Sequence, residues 1–184
     1  MVKNWQVLKS RKKNDYKIFT LREEIAKNPR NGAVRDIVIL DFPGWISVIP
    51  LTSNNEVVMV RQYRHGVKKV LLEIPGGLMD KEDSSPEMAA KRELAEETGY
   101  GTDKLKLIGS LYPQPAIQTN LYHIFLAEDV KKVGGTDFDE GEDIETVIVP
   151  LKHIPHMIET GEICHAMVVT AFYYLALHKK SLYT

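Results

Sequence analysis

At 184 residues and 43% hydrophobic content, the chain holds enough apolar material for one well-buried domain with at most a small appendage. Lys and Arg number 24 against 25 Asp and Glu, so no net field marks the chain for nucleic acid or an anionic membrane, and any phosphate binding must be local. The single cysteine, Cys164, cannot close an internal disulfide, and the opening MVKNWQVLKSRKK lacks an apolar core of signal-peptide length, so a cytoplasmic protein is the default.

In chain order, β-branched and aromatic runs at Trp5 to Leu8, Tyr16 to Leu21, Val34 to Phe42 and Trp45 to Leu51 suggest an antiparallel meander. Asn31-Gly32 has the chemistry of a tight hairpin turn, and Asn54-Asn55 does the same before a strand at Glu56 to Arg64. From Ser84 to Thr98 the pattern turns helical, with Pro86 near the first turn and Gly99 just past the end. Ser84 with Glu87 has capping-box spacing, and Ser85 before Pro86 is an equally good start. Further strands are expected at Lys104 to Tyr112, Leu121 to Ala127 and Ile144 to Val149, and a second helix from His165 to His178. The longest apolar stretch, Met167 to Leu177, falls short of the ~20 residues that span a bilayer and reads as a buried helix. The segment Thr136 to Glu145 carries six carboxylates in ten residues and is a solvated loop unless a cation gathers it. His153 and His156 are the one pair of histidines with ligand spacing, too little for a zinc site.

The chemistry concentrates on the predicted helix. Glu93 and Glu97 are i and i+4, one turn apart on one face, with Glu96 on its flank. Their mutual repulsion, roughly a few tenths of a kcal/mol per pair in an isolated helix, is relieved by open solvent or by a cation. Oxygen ligands on a rigid helix suit a hard divalent ion, Mg²⁺ or Mn²⁺. Arg92, at i−4 from Glu96, has the planar fork to clamp that carboxylate. Gly76 and Gly77 let main chain approach a metal or phosphate, which makes the Gly76 carbonyl a further candidate ligand.

Arg92-Glu93-Leu94-Ala95-Glu96-Glu97-Thr98-Gly99, preceded by Gly76-Gly77, resembles the signature of the Nudix hydrolases: Gly, five residues, Glu, seven residues, then Arg-Glu-aliphatic-any-Glu-Glu-any-Gly-aliphatic. The spacing from Gly77 to Arg92 is one residue longer than that pattern, the upstream glutamate is replaced by Asp83 or Ser84, and Tyr100 stands where an aliphatic residue is usual. In the family the upstream glutamate is a supporting residue, so the metal set itself is intact. The resemblance implies an α/β (α+β) Nudix fold, a mixed β-sheet sandwiched between helices, with an N-terminal antiparallel β region.

Arg61-Gln62-Tyr63-Arg64 and Leu72-Glu73-Ile74-Pro75-Gly76-Gly77 are similar to the ADP-ribose and nucleoside-diphosphate-sugar branch. Pro115, sixteen residues past Gly99, matches a spacing of ADP-ribose pyrophosphatases, although Ile117-Gln118-Thr119-Asn120 departs from the glycine-and-acidic run usual there. The resemblance implies substrate contacts from Arg61, Tyr63, Glu73, Gly77 and Pro115. Strand alternation sets Arg61 and Tyr63 on one face and Gln62 and Arg64 on the other, and Arg61 is the favoured phosphate contact. For Arg64 a structural salt bridge weighs equally with binding, and for Tyr63 packing outweighs base-stacking. The branch also implies a catalytic base and an extra metal ligand from the acidic loop, here Glu140 and Glu142, with Glu96 as the rival base. It further implies a homodimer through residues 1–45, which contribute substrate contacts, ahead of a catalytic domain at 46–184. The expected reaction is Mg²⁺-dependent hydrolysis of ADP-ribose, GDP-mannose or ADP-glucose to a nucleoside monophosphate and a sugar phosphate. Competing readings are a Nudix hydrolase of nucleoside triphosphates or dinucleoside polyphosphates, a nucleotide-sugar sensor without catalysis, and an interaction domain.

Overall fold

The computed structural model describes residues 1–138, Gly141 and residues 143–180. The chain divides into two compact units, Met1–Pro43 with Tyr112–Leu121, and Gly44–Leu111 with Tyr122–Thr184.

The first unit is a three-stranded antiparallel sheet of β1 (Gln6–Asp15), β2 (Thr20–Lys27) and β3 (Val34–Asp41), in that order. β1 runs well past the expected Leu8 because its basic run faces an acidic neighbour. Arg11 lies opposite Glu23 and Ser10 opposite Glu24, and Lys13 reaches Glu23 at 2.9 Å, so opposite charges satisfy a sequence with little apolar pattern. The expected strand at Tyr16 to Leu21 starts only at Thr20. Residues 16–19 form the turn instead, where Tyr16 N–H donates to the Phe19 carbonyl, Lys17 takes φ 66° and the Asp15 carboxylate accepts from Lys17 N–H. Asn31-Gly32 sits in the loop Asn28–Ala33 rather than in a two-residue turn, and only Gly32 of the pair has positive φ, 76°. Arg22 joins β2 to the end of β3 through Asp41 at 2.7 and 3.0 Å, and it also pairs with Glu24. The segment Tyr112–Leu121 lies along β3, where Leu40 N–H donates to Ile117 and Thr119 N–H donates to Leu40.

The second unit contains β4 (Trp45–Pro50), β5 (Glu56–Arg64), β6 (Lys69–Glu73), α1 (Pro86–Thr98), β7 (Tyr100–Gly101), β8 (Leu105–Leu111), β9 (Tyr122–Ala127), β10 (Lys131–Lys132), β11 (Ile144–Pro150), α2 (Ile154–Glu159) and α3 (Ala166–His178). β4 does not extend the N-terminal meander as expected. It pairs in parallel with β9 in the order β4-β9-β8, while β11-β5-β6 forms an antiparallel sheet. A parallel partner so distant in sequence leaves no local signal, which is why the hydrophobic run alone pointed to a hairpin neighbour.

Alternation along β4 explains the layering. Ile46 and Val48 pack with Ala89, Ala90 and Leu94 of α1, whereas Ile49 belongs to the cluster holding Val168, Ala171, Phe172 and Leu175 of α3. The mixed sheet is thus sandwiched between helices. α2 escaped sequence reading because six residues are too few for a helical period. Among the described residues, no helix is long and apolar enough to cross a membrane.

Candidate active site

α1 begins where Ser85 Oγ accepts the Met88 N–H at 3.2 Å and Pro86 supplies a preset first turn, which decides between the two possible caps. It ends at Gly99, whose φ of 68° lets its N–H return to the Ala95 carbonyl at 2.7 Å. Between these ends the three glutamates divide by burial. Glu93 and Glu97 are 9% and 3% exposed, whereas the Glu96 side chain is 38% exposed.

The buried pair lies against the glycine loop. Gly76 N–H donates to Glu97 Oε2 at 3.0 Å. A Cβ on Gly77 would stand 2.5 Å from Glu93 Oε1, and one on Gly76 would stand 2.3 Å from the Ile46 carbonyl oxygen. The loop is held to β4 because Val48 N–H donates to the Pro75 carbonyl and Ile46 N–H to the Gly77 carbonyl. The Gly76 carbonyl between them takes no part in that ladder. At position 77 only a residue without a side chain fits this close to a carboxylate, and at position 76 only one fits this close to the backbone of β4.

Arg92 ties the loop to the helix. Its Nη1 reaches Glu96 Oε2 at 2.9 Å and Glu93 Oε1 at 3.0 Å, while Nη2 and Nε reach the two Asp83 oxygens at 2.9 and 3.3 Å. Nη2 also donates to the Leu78 carbonyl at 3.3 Å. Of Asp83 and Ser84, the structure therefore puts Asp83 against the arginine. The longer loop leaves room for the shorter side chain to arrive, a compensation that spacing alone does not reveal. The Arg92 hydrogen bonds hold the Asp83 carboxyl below its ordinary value, and Asp83 in turn raises that of Arg92.

The sign of that shift makes it testable. A carboxylate whose pKa is lowered on folding contributes stability above its ordinary value and loses it as pH falls through the lowered one. Asp83→Asn is expected to cost about 2 kcal/mol at neutral pH, the scale of a charged hydrogen bond. In melting curves the gap to wild type should narrow below about pH 4; a gap that does not change with pH would contradict an ionic role.

The end of α1 is held from outside. Its last four carbonyls, Ala95 to Thr98, accept from Gly99 N–H, Asp137 N–H at 2.9 Å, Thr146 Oγ1 at 3.5 Å and Lys132 Nζ at 3.0 Å. Asp137 is the first carboxylate of the acidic run and Thr146 directly follows it, so the chain is fastened at both of these points to the turn that carries Glu96 and Glu97.

The other residues that the sequence singled out have these places. Glu140 and Glu142 lie outside the described residues. Arg61, on β5, pairs with Glu145 of β11 at 3.0 Å, both side chains exposed. Arg64 donates to both oxygens of buried Glu73 at 2.9 and 2.8 Å, so the salt-bridge alternative for Arg64 is realised and the Glu73 carboxylate is engaged by it. Tyr63 is exposed and meets His65 edge-on at 5.0 Å. Pro115 belongs to the first unit, on the segment that lies along β3. Sequence reading missed Lys132, whose one signal is a basic residue soon after a predicted strand.

Among the described residues, no three His, Cys, Asp or Glu side chains form a ready-made metal cluster. The donors at hand nevertheless suit a hard divalent ion: two buried carboxylates one helical turn apart, beside a main-chain carbonyl outside the local ladder.

A model of the Nudix domain matches residues 43–171, and the chain belongs to that family. It is 33% identical to an ADP-ribose pyrophosphatase of Bacillus subtilis over 88% of this chain and 86% of that protein. It is 32% identical to a methanol dehydrogenase activator of Bacillus methanolicus over 81% and 80%. With a GDP-mannose pyrophosphatase of Escherichia coli K12 it shares 33% identity over 67% and 68%. A crystal structure of an ADP compounds hydrolase matches with TM-score 0.86 at 23% identity, covering 100% of this chain and 98% of that one, a likeness of fold. Nudix hydrolases generally use divalent metal ions.

Proposed function

We propose that this chain hydrolyses the diphosphate bond of nucleoside diphosphate sugars of the ADP-ribose, GDP-mannose or ADP-glucose type, releasing a nucleoside monophosphate and a sugar phosphate. The observation that carries the reading is the burial of Glu93 and Glu97 against the Gly76-Gly77 main chain. The pyrophosphatases among the relatives support the substrate class.

Glu93, Glu97, Glu142 and the Gly76 carbonyl would hold Mg²⁺ or Mn²⁺, which offsets the charge of a diphosphate and acidifies a water. Arg92 fixes the direction of Glu93 and Glu96 by its fork. Glu140 takes the proton of the attacking water. Glu96 is the weaker choice for that step because its Oε2 already accepts from Arg92. Arg61 exchanges Glu145 for a substrate phosphate, an exchange of small cost because an exposed pair contributes only about 0–1 kcal/mol. Tyr63, Glu73, Gly77 and Pro115 complete the proposed substrate contacts, with Glu73 acting through Arg64.

Residues 1–45 form, in this reading, a homodimer interface that lends contacts to the catalytic region 46–184. The support is that Trp5, Val7, Leu8, Val34 and Val38 of the first unit are individually exposed apolar residues. The single cysteine supports a cytoplasmic setting.

The test is turnover of ADP-ribose, GDP-mannose, ADP-glucose, NADH and a nucleoside triphosphate, with and without Mg²⁺ and with products identified. At least one nucleotide sugar should be cleaved in a strictly Mg²⁺-dependent way, and Glu140→Gln should slow that cleavage by about 10²–10⁴-fold, the range of a lost general base. Cleavage of the triphosphate alone would move the substrate class, and wild-type rates in Glu140→Gln would remove the base assignment.

A further inference from the structure

The Nudix signature in this chain ends on Tyr100 in place of an aliphatic residue, and α1 carries no basic residue in its last turn. The structure joins these two departures. β7 and β10 form a two-residue antiparallel pair in which Lys132 lies opposite Tyr100 and Lys131 opposite Gly101. From that position the Lys132 ammonium lies 5.4 Å from the centre of the Tyr100 ring and donates to the Thr98 carbonyl. A cation supplied from another strand therefore takes the place of the missing basic residue at the negative end of the helix dipole.

The five residues that follow Lys132 run along the same turn. Immediately after Lys132, the N–H groups of Val133 and Gly134 donate to the Gly99 carbonyl at 2.9 and 3.2 Å, and Asp137 N–H then reaches the Glu96 carbonyl. A Cβ at Gly99 would stand 2.6 Å from the Gly134 carbonyl oxygen, so the two backbones are in direct contact. The path from Lys132 to Asp137 is thus laid along the turn that carries Glu96 and Glu97.

We infer that Lys132, seated on Tyr100, is a positioning residue that sets the last turn of α1, and with it Glu96 and Glu97, for divalent-ion binding. The inference rests on the metal role proposed for Glu97. An aliphatic residue at position 100 would leave the ammonium without its aromatic seat, which accounts for the departure from the family pattern.

The test compares wild type with Lys132→Met, Lys132→Arg and Tyr100→Leu. In metal-free protein, amide hydrogen exchange at Val133, Gly134 and Asp137 should be faster in Lys132→Met. Calorimetric titration with Mn²⁺ should show affinity about tenfold weaker, the lower end of the effect of removing a group that orients a ligand. In turnover the half-saturating Mg²⁺ concentration should rise by the same factor while KM for the nucleotide sugar at saturating Mg²⁺ stays within about twofold. Lys132→Arg should restore all three, and Tyr100→Leu should shift them the same way by less, which keeps a readout if Lys132→Met does not fold. A Lys132→Met protein that melts earlier but exchanges and binds Mn²⁺ like wild type would reduce Lys132 to a helix cap and overturn the inference. A wild type that binds Mn²⁺ yet cleaves no nucleotide sugar would overturn the proposed reaction and leave the titration arm to judge Lys132.

Discussion

Glu97→Gln is expected to lower kcat about a thousandfold, a loss of roughly 4 kcal/mol of transition-state stabilisation. The substitution separates chemistry from folding. Glutamine keeps a side-chain oxygen able to accept the Gly76 N–H that Glu97 Oε2 now accepts at 3.0 Å, so the loop stays in place. What disappears is the negative charge of a carboxylate that is 3% exposed and whose helical neighbour Glu93 is 9% exposed. Neutralising one of two buried like charges relieves repulsion in the metal-free protein, so melting temperature should hold or rise while turnover collapses. Steady-state kinetics beside a melting curve decides it. A variant that loses both activity and fold would show that Glu97 serves the structure first, and one with unaltered turnover would remove it from the site.

The largest effect on stability is expected at Gly76. A methyl group there would stand 2.3 Å from the Ile46 carbonyl oxygen and 2.8 Å from Ser47 Cα, both backbone atoms of a buried strand that cannot step aside cheaply. Gly76→Ala is therefore expected to destabilise the protein by about 3 kcal/mol, or about 6–12 °C in melting temperature for a chain of this size. Gly77→Ala makes the informative contrast. Its methyl would meet the end of the Glu93 side chain, with Oε1 at 2.5 Å and Cδ at 2.9 Å, so the cost falls on the orientation of one carboxylate. Thermal denaturation of both variants with activity measured on the folded fraction separates the cases. Gly76→Ala should fail by melting, and Gly77→Ala should fail by turnover while melting near wild type. Equal melting temperatures for the two would contradict the close approach at Gly76.

Local chemistry made part of this site readable in the sequence, and remote pairing hid the rest. Helix α1 could be read almost to the residue because its signals are adjacent: Ser85-Pro86 at one end, Gly99 at the other, and i, i+4 carboxylates between. The Arg92–Glu96 pair comes from the same geometry. The Arg92–Asp83 contact does not, since it depends on how a loop one residue longer than the family pattern folds back. β4 was legible as a strand, but its parallel partner β9 stands more than seventy residues away and could not be named. In β1 the basic run after Leu8 gave no strand signal because the acidic strand that neutralises it becomes a neighbour only after folding. The C-terminal carbonyls of α1 show the limit most plainly. Gly99 is visible in the signature, whereas Asp137, Thr146 and Lys132 arrive from separate elements with no periodicity to announce them.

The central claim is that one buried face of α1 and the Gly76 carbonyl gather divalent ions against the phosphates of a nucleotide sugar. A crystal structure of the protein with Mg²⁺ and a non-hydrolysable ADP-ribose analogue tests it most directly. Carboxylate oxygens of Glu93 and Glu97 and the Gly76 carbonyl oxygen should lie about 2.1 Å from ions that also touch the diphosphate. An analogue bound with its diphosphate elsewhere, and Glu93 and Glu97 keeping their metal-free contacts, would contradict the account.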